Sequence, residues 1–90
     1  MMQVSVLDFE HSVFELDRIR VVIRATEGSM VEAYPFKRKA PGNMTIGSFI
    51  NNRIIPFIDD NQFEIIDGAG SLYIHKRRTV SSIRESYTEG

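Results

Sequence analysis

The alternation between Arg18 and Phe36 constrains the fold more than any other feature of the chain. In Arg18-Ile19-Arg20-Val21-Val22-Ile23-Arg24-Ala25 the side chains change face at every residue, so Ile19, Val21 and Ile23 share one face while Arg18, Arg20 and Arg24 share the other. Such a strand wants a core on one side and water or an anion on the other. Thr26-Glu27-Gly28-Ser29 offers a turn, with Gly28 able to take positive φ, and Met30 to Phe36 runs back. Pairing Ala25 with Met30 sets Val21 against Tyr34 and Ile19 against Phe36, so the expected hairpin gives its aliphatic face aromatic partners. The same register puts Glu32 opposite Ile23 on the core side, where an unpaired carboxylate is costly. Glu32 therefore sits at a rim, reaches an arginine, or reports a register slipped by one.

Around this hairpin the chain offers a short strand from Val4, then a helical turn in which Val6, Phe9, Val13 and Leu16 recur at helical spacing. Lys37 to Asn43, with Pro41-Gly42, reads as a loop. Asn43 or Thr45 can cap the clearest helix, whose stripe is Ile46, Phe49, Ile50, Ile54 and Phe57 and whose end falls near Pro56. Asn51, Asn52 and Arg53 face away from that stripe; Ile55 lies off it, a hint of protein contact if exposed. Phe63 to Asp67 and Ser71 to His75 flank Gly68-Ala69-Gly70 as a second hairpin. A phosphate loop at the same place would need a following helix, and a strand-like segment follows instead. Val80, Ile83 and Tyr87 make the apolar edge of a weak C-terminal helix, or the residues from 79 to 90 form a flexible tail. No internal repeat is evident and no linker divides the chain. The expected architecture is one α+β domain over residues 1–90, a small antiparallel or mixed sheet of two hairpins with one covering helix.

Ninety residues suffice for one small core, burying roughly 60–65% of the surface of the unfolded chain. The formal charge of −1 argues against a general nucleic-acid coat, so charge matters only locally. Acids gather at Asp8, Glu10, Glu15 and Asp17, and at Asp59-Asp60. With no cysteine, disulfides, thiol catalysis and thiolate metal sites are excluded, which suits the reducing cytoplasm. No signal-like start and no apolar run of membrane-spanning length is present. Asp8, Glu10, His11 and His75 match no metal-site spacing, no serine has a triad context, and no acid can be placed beside a second catalytic group. Neither an enzyme nor a cofactor is expected.

What remains is a basic set that a partner could use: Arg18, Arg20 and Arg24 on the strand face, Lys37, Arg38 and Lys39 after the first hairpin, and Lys76, Arg77 and Arg78 after the second. If the two strand ends share an edge, these form one patch, although no aromatic ladder interleaves them as single-strand binding would want.

Arg20-Val21-Val22-Ile23-Arg24-Ala25-Thr26-Glu27-Gly28-Ser29-Met30-Val31 resembles the hairpin of the YkfF-like family, small uncharacterised proteins of enterobacterial prophages and plasmids. The shared pattern is Arg, three aliphatics, Arg, any residue, Thr-Glu-Gly, any residue, Met-Val; the chain lacks the tryptophan-rich continuation. The resemblance implies a mobile-element origin and carries no functional residues. The resulting expectation is a cytoplasmic, non-enzymatic protein acting through a protein partner, with nucleic-acid binding through the arginine face and basic loops as the alternative.

Overall fold

The computed structural model describes residues 3–25, 28–58, 61–70 and 74–87. A short strand β1 (Gln3–Ser5) leads directly into helix α1 (Val6–Asp17). Ser5 makes that switch: its extended backbone ends the strand and its side chain accepts from the Asp8 amide at 3.1 Å. Phe9 and Val13, on the inner stripe, are fully buried. The helix ends at Arg18, which takes the left-handed conformation (φ 58°) usually reserved for glycine and returns its amide to Phe14.

Then follow β2 (Arg20–Arg24), β3 (Met30–Glu32), α2 (Ile46–Arg53) with a 3-10 turn at Ile55–Phe57, β4 (Gln62–Ile66) and α3 (Val80–Ser86). The α+β class is as expected, and among the described residues no helix is long and apolar enough to cross a membrane. The strand partners are not as expected. β2 pairs antiparallel with β4, setting Val21 opposite Ile65 and Ile23 opposite Phe63, while β3 pairs antiparallel with β1, setting Val4 opposite Val31. Arg18 to Phe36 is therefore no hairpin: its two strands belong to different sheets. The alternation correctly assigned faces, since Ile19, Val21 and Ile23 are buried and Arg18, Arg20 and Arg24 exposed. It could not choose between Tyr34 and Phe63 as cross-strand partners, because either satisfies the same aliphatic face. Glu32 consequently lies opposite Gln3 and half-buried, not in the core. In the second expected hairpin, Phe63 to Ile66 is a strand whose partner is β2. Its proposed return through Ser71, Leu72 and Tyr73 lies outside the described residues, as do Thr26 and Glu27 of the first turn.

The chain does contain a repeat, in its backbone. Before α2, Met44 donates its amide to Pro41; before α3, Arg78 donates its amide to His75. Thr45 and Thr79 then cap the two helices, each accepting from the serine three residues on, Ser48 and Ser82. The two caps face one another in an antiparallel bridge. Around it the hydrogen bonds are reciprocal: Ile46 donates to the Arg78 carbonyl and Val80 to the Met44 carbonyl, at 2.7 and 2.8 Å. Gly47 likewise donates to Lys76, and Ser81 to Gly42, both at 2.9 Å. This is the signature of a twofold contact, in which each bond has a counterpart between equivalent residues. Val31 of β3 and Ile65 of β4, both buried, precede Thr45 and Thr79 by the same stretch of chain. The units β3-to-α2 and β4-to-α3 thus pack about an internal approximate dyad. The echo of Thr45-Ile46-Gly47-Ser48-Phe49 in Thr79-Val80-Ser81-Ser82-Ile83 is its trace in the sequence.

The core fills the space between the units. Ile46 and Phe49 of α2 and Val80 and Ile83 of α3 occupy equivalent positions, none more than 1% exposed. With Ile54, Ile58, Val31, Ala40 and the buried faces of α1 and β2 they form one cluster. The residues weighed above as a tail therefore include a helix whose apolar edge is central to the core. Each two-stranded sheet is too small to stand alone, and the helices supply the missing burial.

Candidate functional site

Asp17 is the only carboxylate with no exposed surface among the described residues. It sits at the end of α1 and accepts from the Tyr34 hydroxyl, the Ala40 amide at 2.6 Å, Arg53 Nη1 at 3.1 Å and Arg84 Nη2 at 3.3 Å. Arg53 also donates to the Arg38 carbonyl and lies 4.2 Å over the Phe36 ring; Arg84 Nε donates to the Asp17 carbonyl. Arg53 was expected to face solvent from the far side of α2, yet a long side chain can snorkel back around the helix to a buried acid. The Tyr34 phenol is pushed well above its ordinary value, first by burial and then by the bond to Asp17. A carboxylate with both oxygens engaged by two guanidiniums, a phenol and an amide has no lone pair to spare for a substrate. It ties α1, the loop after β3, α2 and α3 together.

The second buried acid, Asp67, organises the expected turn. Its side chain accepts from the Ala69 amide and from Arg78 Nη1 at 2.9 Å, its carbonyl accepts from the Gly70 amide, and Gly70 takes φ 81°. Gly68 is required for a different reason: a Cβ there would lie 1.9 Å from the Ser86 carbonyl oxygen.

The members of the basic set are engaged in different ways. Arg78 is held by Asp67 and Ser82, and Arg24 pairs with Glu64 at 2.5 Å. Arg18 and Arg20 lie over the Phe14 ring, Arg20 also over Tyr87, each at about 5.5 Å from the centroid. Lys76 is held beside the first turn of α2, whereas Arg38 meets Arg53 at its last turn, so the two loop clusters sit at opposite ends of a helix about 12 Å long. Lys37, Arg38, Lys39, Lys76 and Arg77 are exposed. Among the described residues no three His, Asp or Glu side chains converge as metal ligands; His11 pairs with Glu15 at 2.8 Å.

The surface that does stand out was not evident from sequence. Leu7 is 73% exposed and Met30 49%; Leu7 borders two adjoining grooves and Met30 the first of them. One, of about 370 Å³, runs between the start of α1 and Ala25, Gly28, Ser29 and Met30. The other, of about 570 Å³, runs between Leu7, Glu10, His11 and Phe14 of α1 and Arg20, Val21, Val22 and Ile66 of the β2–β4 sheet. They meet at Leu7 and Glu10. There the Glu10 carboxylate accepts from the Ile23 amide at 2.7 Å, a backbone donor of β2 that points away from β4. Leu7 sits at helical spacing from Phe14, outside the buried stripe of Phe9 and Val13, which was the one available hint. Ile55, 46% exposed, lies apart beside α2.

No protein-family model, curated protein or solved structure matches the chain.

Proposed function

We propose that the chain is a non-enzymatic cytoplasmic protein that works by contacting another protein along the grooves at Leu7 and Glu10. The observation that supports this most is the exposure of Leu7 and Met30 at the lips of a concave, partly apolar surface, since large aliphatic side chains held in water beside a groove mark contact sites. The buried acids favour the same view, being consumed by structural partners. The likeness of residues 20–31 to the YkfF-like proteins adds a phage or plasmid origin, although the segment is split between two sheets here rather than forming a hairpin.

The test is capture by the tagged full chain from an enterobacterial lysate, with and without nuclease, against the Leu7→Asp/Met30→Asp variant. The expected result is a protein retained by the wild type, lost with the variant and indifferent to nuclease. Nucleic-acid binding through Arg18, Arg20 and Arg24 and the basic loops is the alternative. On the protein-contact reading, no complex with DNA or RNA tighter than about 10⁻⁴ M forms at physiological salt. A submicromolar, steeply salt-dependent complex that Arg20→Ala/Arg24→Ala removes would reverse the choice.

A further inference from the structure

We propose that the grooves receive an extended peptide as an added strand along the outer edge of β2, and that this peptide brings a lysine or arginine to Glu10. This rests on the protein-contact reading and narrows its partner to a strand of stated charge. The direction of the β2 backbone is set by two contacts. The Tyr87 hydroxyl accepts from the Arg20 amide and donates to the Ile66 carbonyl, so Arg20, and by alternation Val22 and Arg24, turn their backbone groups towards β4. Val21 and Ile23 then point outward, as the bond from Ile23 to Glu10 requires. Among the described residues no strand lies on that side. Glu10 thus stands where the carbonyl of a neighbouring strand would stand, a side-chain cover on an open edge.

The charge of the occupant follows from displacement. A peptide carbonyl that takes the Ile23 amide leaves the half-buried Glu10 carboxylate without that donor, which is unfavourable unless a cation arrives with the peptide. A second copy of the chain is a poor occupant, because antiparallel self-pairing about Val22 sets Arg20 opposite Arg24 at both ends. Leu7 and Met30 offer apolar contact to the alternate side chains of an extended segment.

Random dodecapeptides displayed on yeast are selected against the immobilised full chain, and synthetic versions of the enriched sequence are measured by fluorescence polarisation. The expected peptides alternate aliphatic residues around a Lys or Arg. Affinity should fall at least tenfold when the amides facing β2 are N-methylated, and similarly when the basic residue becomes Glu. Glu10→Gln, whose amide oxygen still accepts from Ile23, should weaken the basic peptide about tenfold while the chain keeps a cooperative melting transition, and Leu7→Asp should abolish binding. Binding lost with Leu7→Asp but indifferent to N-methylation overturns strand addition and leaves the contact surface standing. Failure to enrich any peptide, or binding that ignores Leu7→Asp, overturns the proposal. So does sedimentation showing a dimer that Leu7→Asp dissociates, which makes the occupant a second copy.

Discussion

In the unit that ends in α2, two close approaches across the internal dyad are made by glycines, Gly42 and Gly47; in the unit that ends in α3, the equivalent positions carry Lys76 and Ser81. A Cβ on Gly42 would meet the Ser81 Cβ at 3.2 Å, and one on Gly47 would meet the Lys76 Cβ at 3.3 Å. Each contact therefore joins a bare backbone from one unit to a side chain from the other. Two side chains would overlap there, since relaxed carbon contacts begin near 3.5 Å. Backbone symmetry so close demands asymmetry in side chains, and the first unit supplies it at both places. The polar anchors differ in the same spirit, with Arg53 and Arg84 reaching one carboxylate from non-equivalent positions on the two helices.

The harshest way to break the comparison is to remove one half of the dyad. Deleting Thr79 to Gly90 takes away Val80 and Ile83, the Arg84 pair and the Tyr87 contacts, and should cost more than about 5 kcal/mol, leaving no cooperative melting transition. A truncated chain that still melts cooperatively would show the first unit to be self-sufficient.

Asp17→Ala strips the shared anchor from both helices and leaves two guanidiniums, 12% and 21% exposed, without their acid. The loss should be about 3–5 kcal/mol, read as a lower urea midpoint. A shift below 1 kcal/mol would mean that Arg53 and Arg84 find other partners and that the helices are not joined there.

Gly42→Ala tests the contact rule itself. Overpacking should cost about 1–3 kcal/mol, and Ser81→Gly alone about 0.5–1 kcal/mol as a glycine in α3. Together they should cost less than their sum, because the clash requires both side chains. Simple additivity in the double-mutant cycle would dismiss the close approach as the reason for glycine.

The mildest effect separates the units by pH. Burial raises the phenol of Tyr34, on the loop after β3, and that of Tyr87, at the end of α3. Unfolded tyrosine loses its proton near pH 10, before either folded phenol does, so their contribution to stability is complete below pH 10 and declines as pH climbs towards the folded values. Tyr34→Phe and Tyr87→Phe should each flatten part of that alkaline decline in denaturant midpoints, and the larger flattening identifies the phenol that folding shifts more. Unchanged slopes in both variants would put the alkaline response elsewhere.

What could be read from the residues was local. The period-two pattern of β2 and the stripe from Ile46 to Ile54 are each decided within a few residues, and both are in place. Strand partners are not local, and a turn-forming Thr26-Glu27-Gly28-Ser29 between two strands makes a hairpin look sufficient when β4 competes for the same face. The repeat escaped because its signal is a short echo around Thr45 and Thr79, while Pro41-Gly42 and His75-Lys76 build the same turn from unrelated residues. Asp17 looked like one of several surface acids; its burial depends on Tyr34, Arg53 and Arg84, dispersed along the chain. The grooves escaped because the exposure of Leu7 depends on what does not pack against it.

The pairing of β2 with β4 also bears on how the protein is made. Arg24 and its partner Glu64 are 40 residues apart, so during synthesis at about 5–20 residues per second β2 waits roughly 2–8 s before its partner exists. β1 and β3 are complete well before that and have too few residues to hold a ribbon alone. Until β4 is made, Val21 and Ile23 lack Ile65 and Phe63, the residues that stand opposite them in the finished molecule.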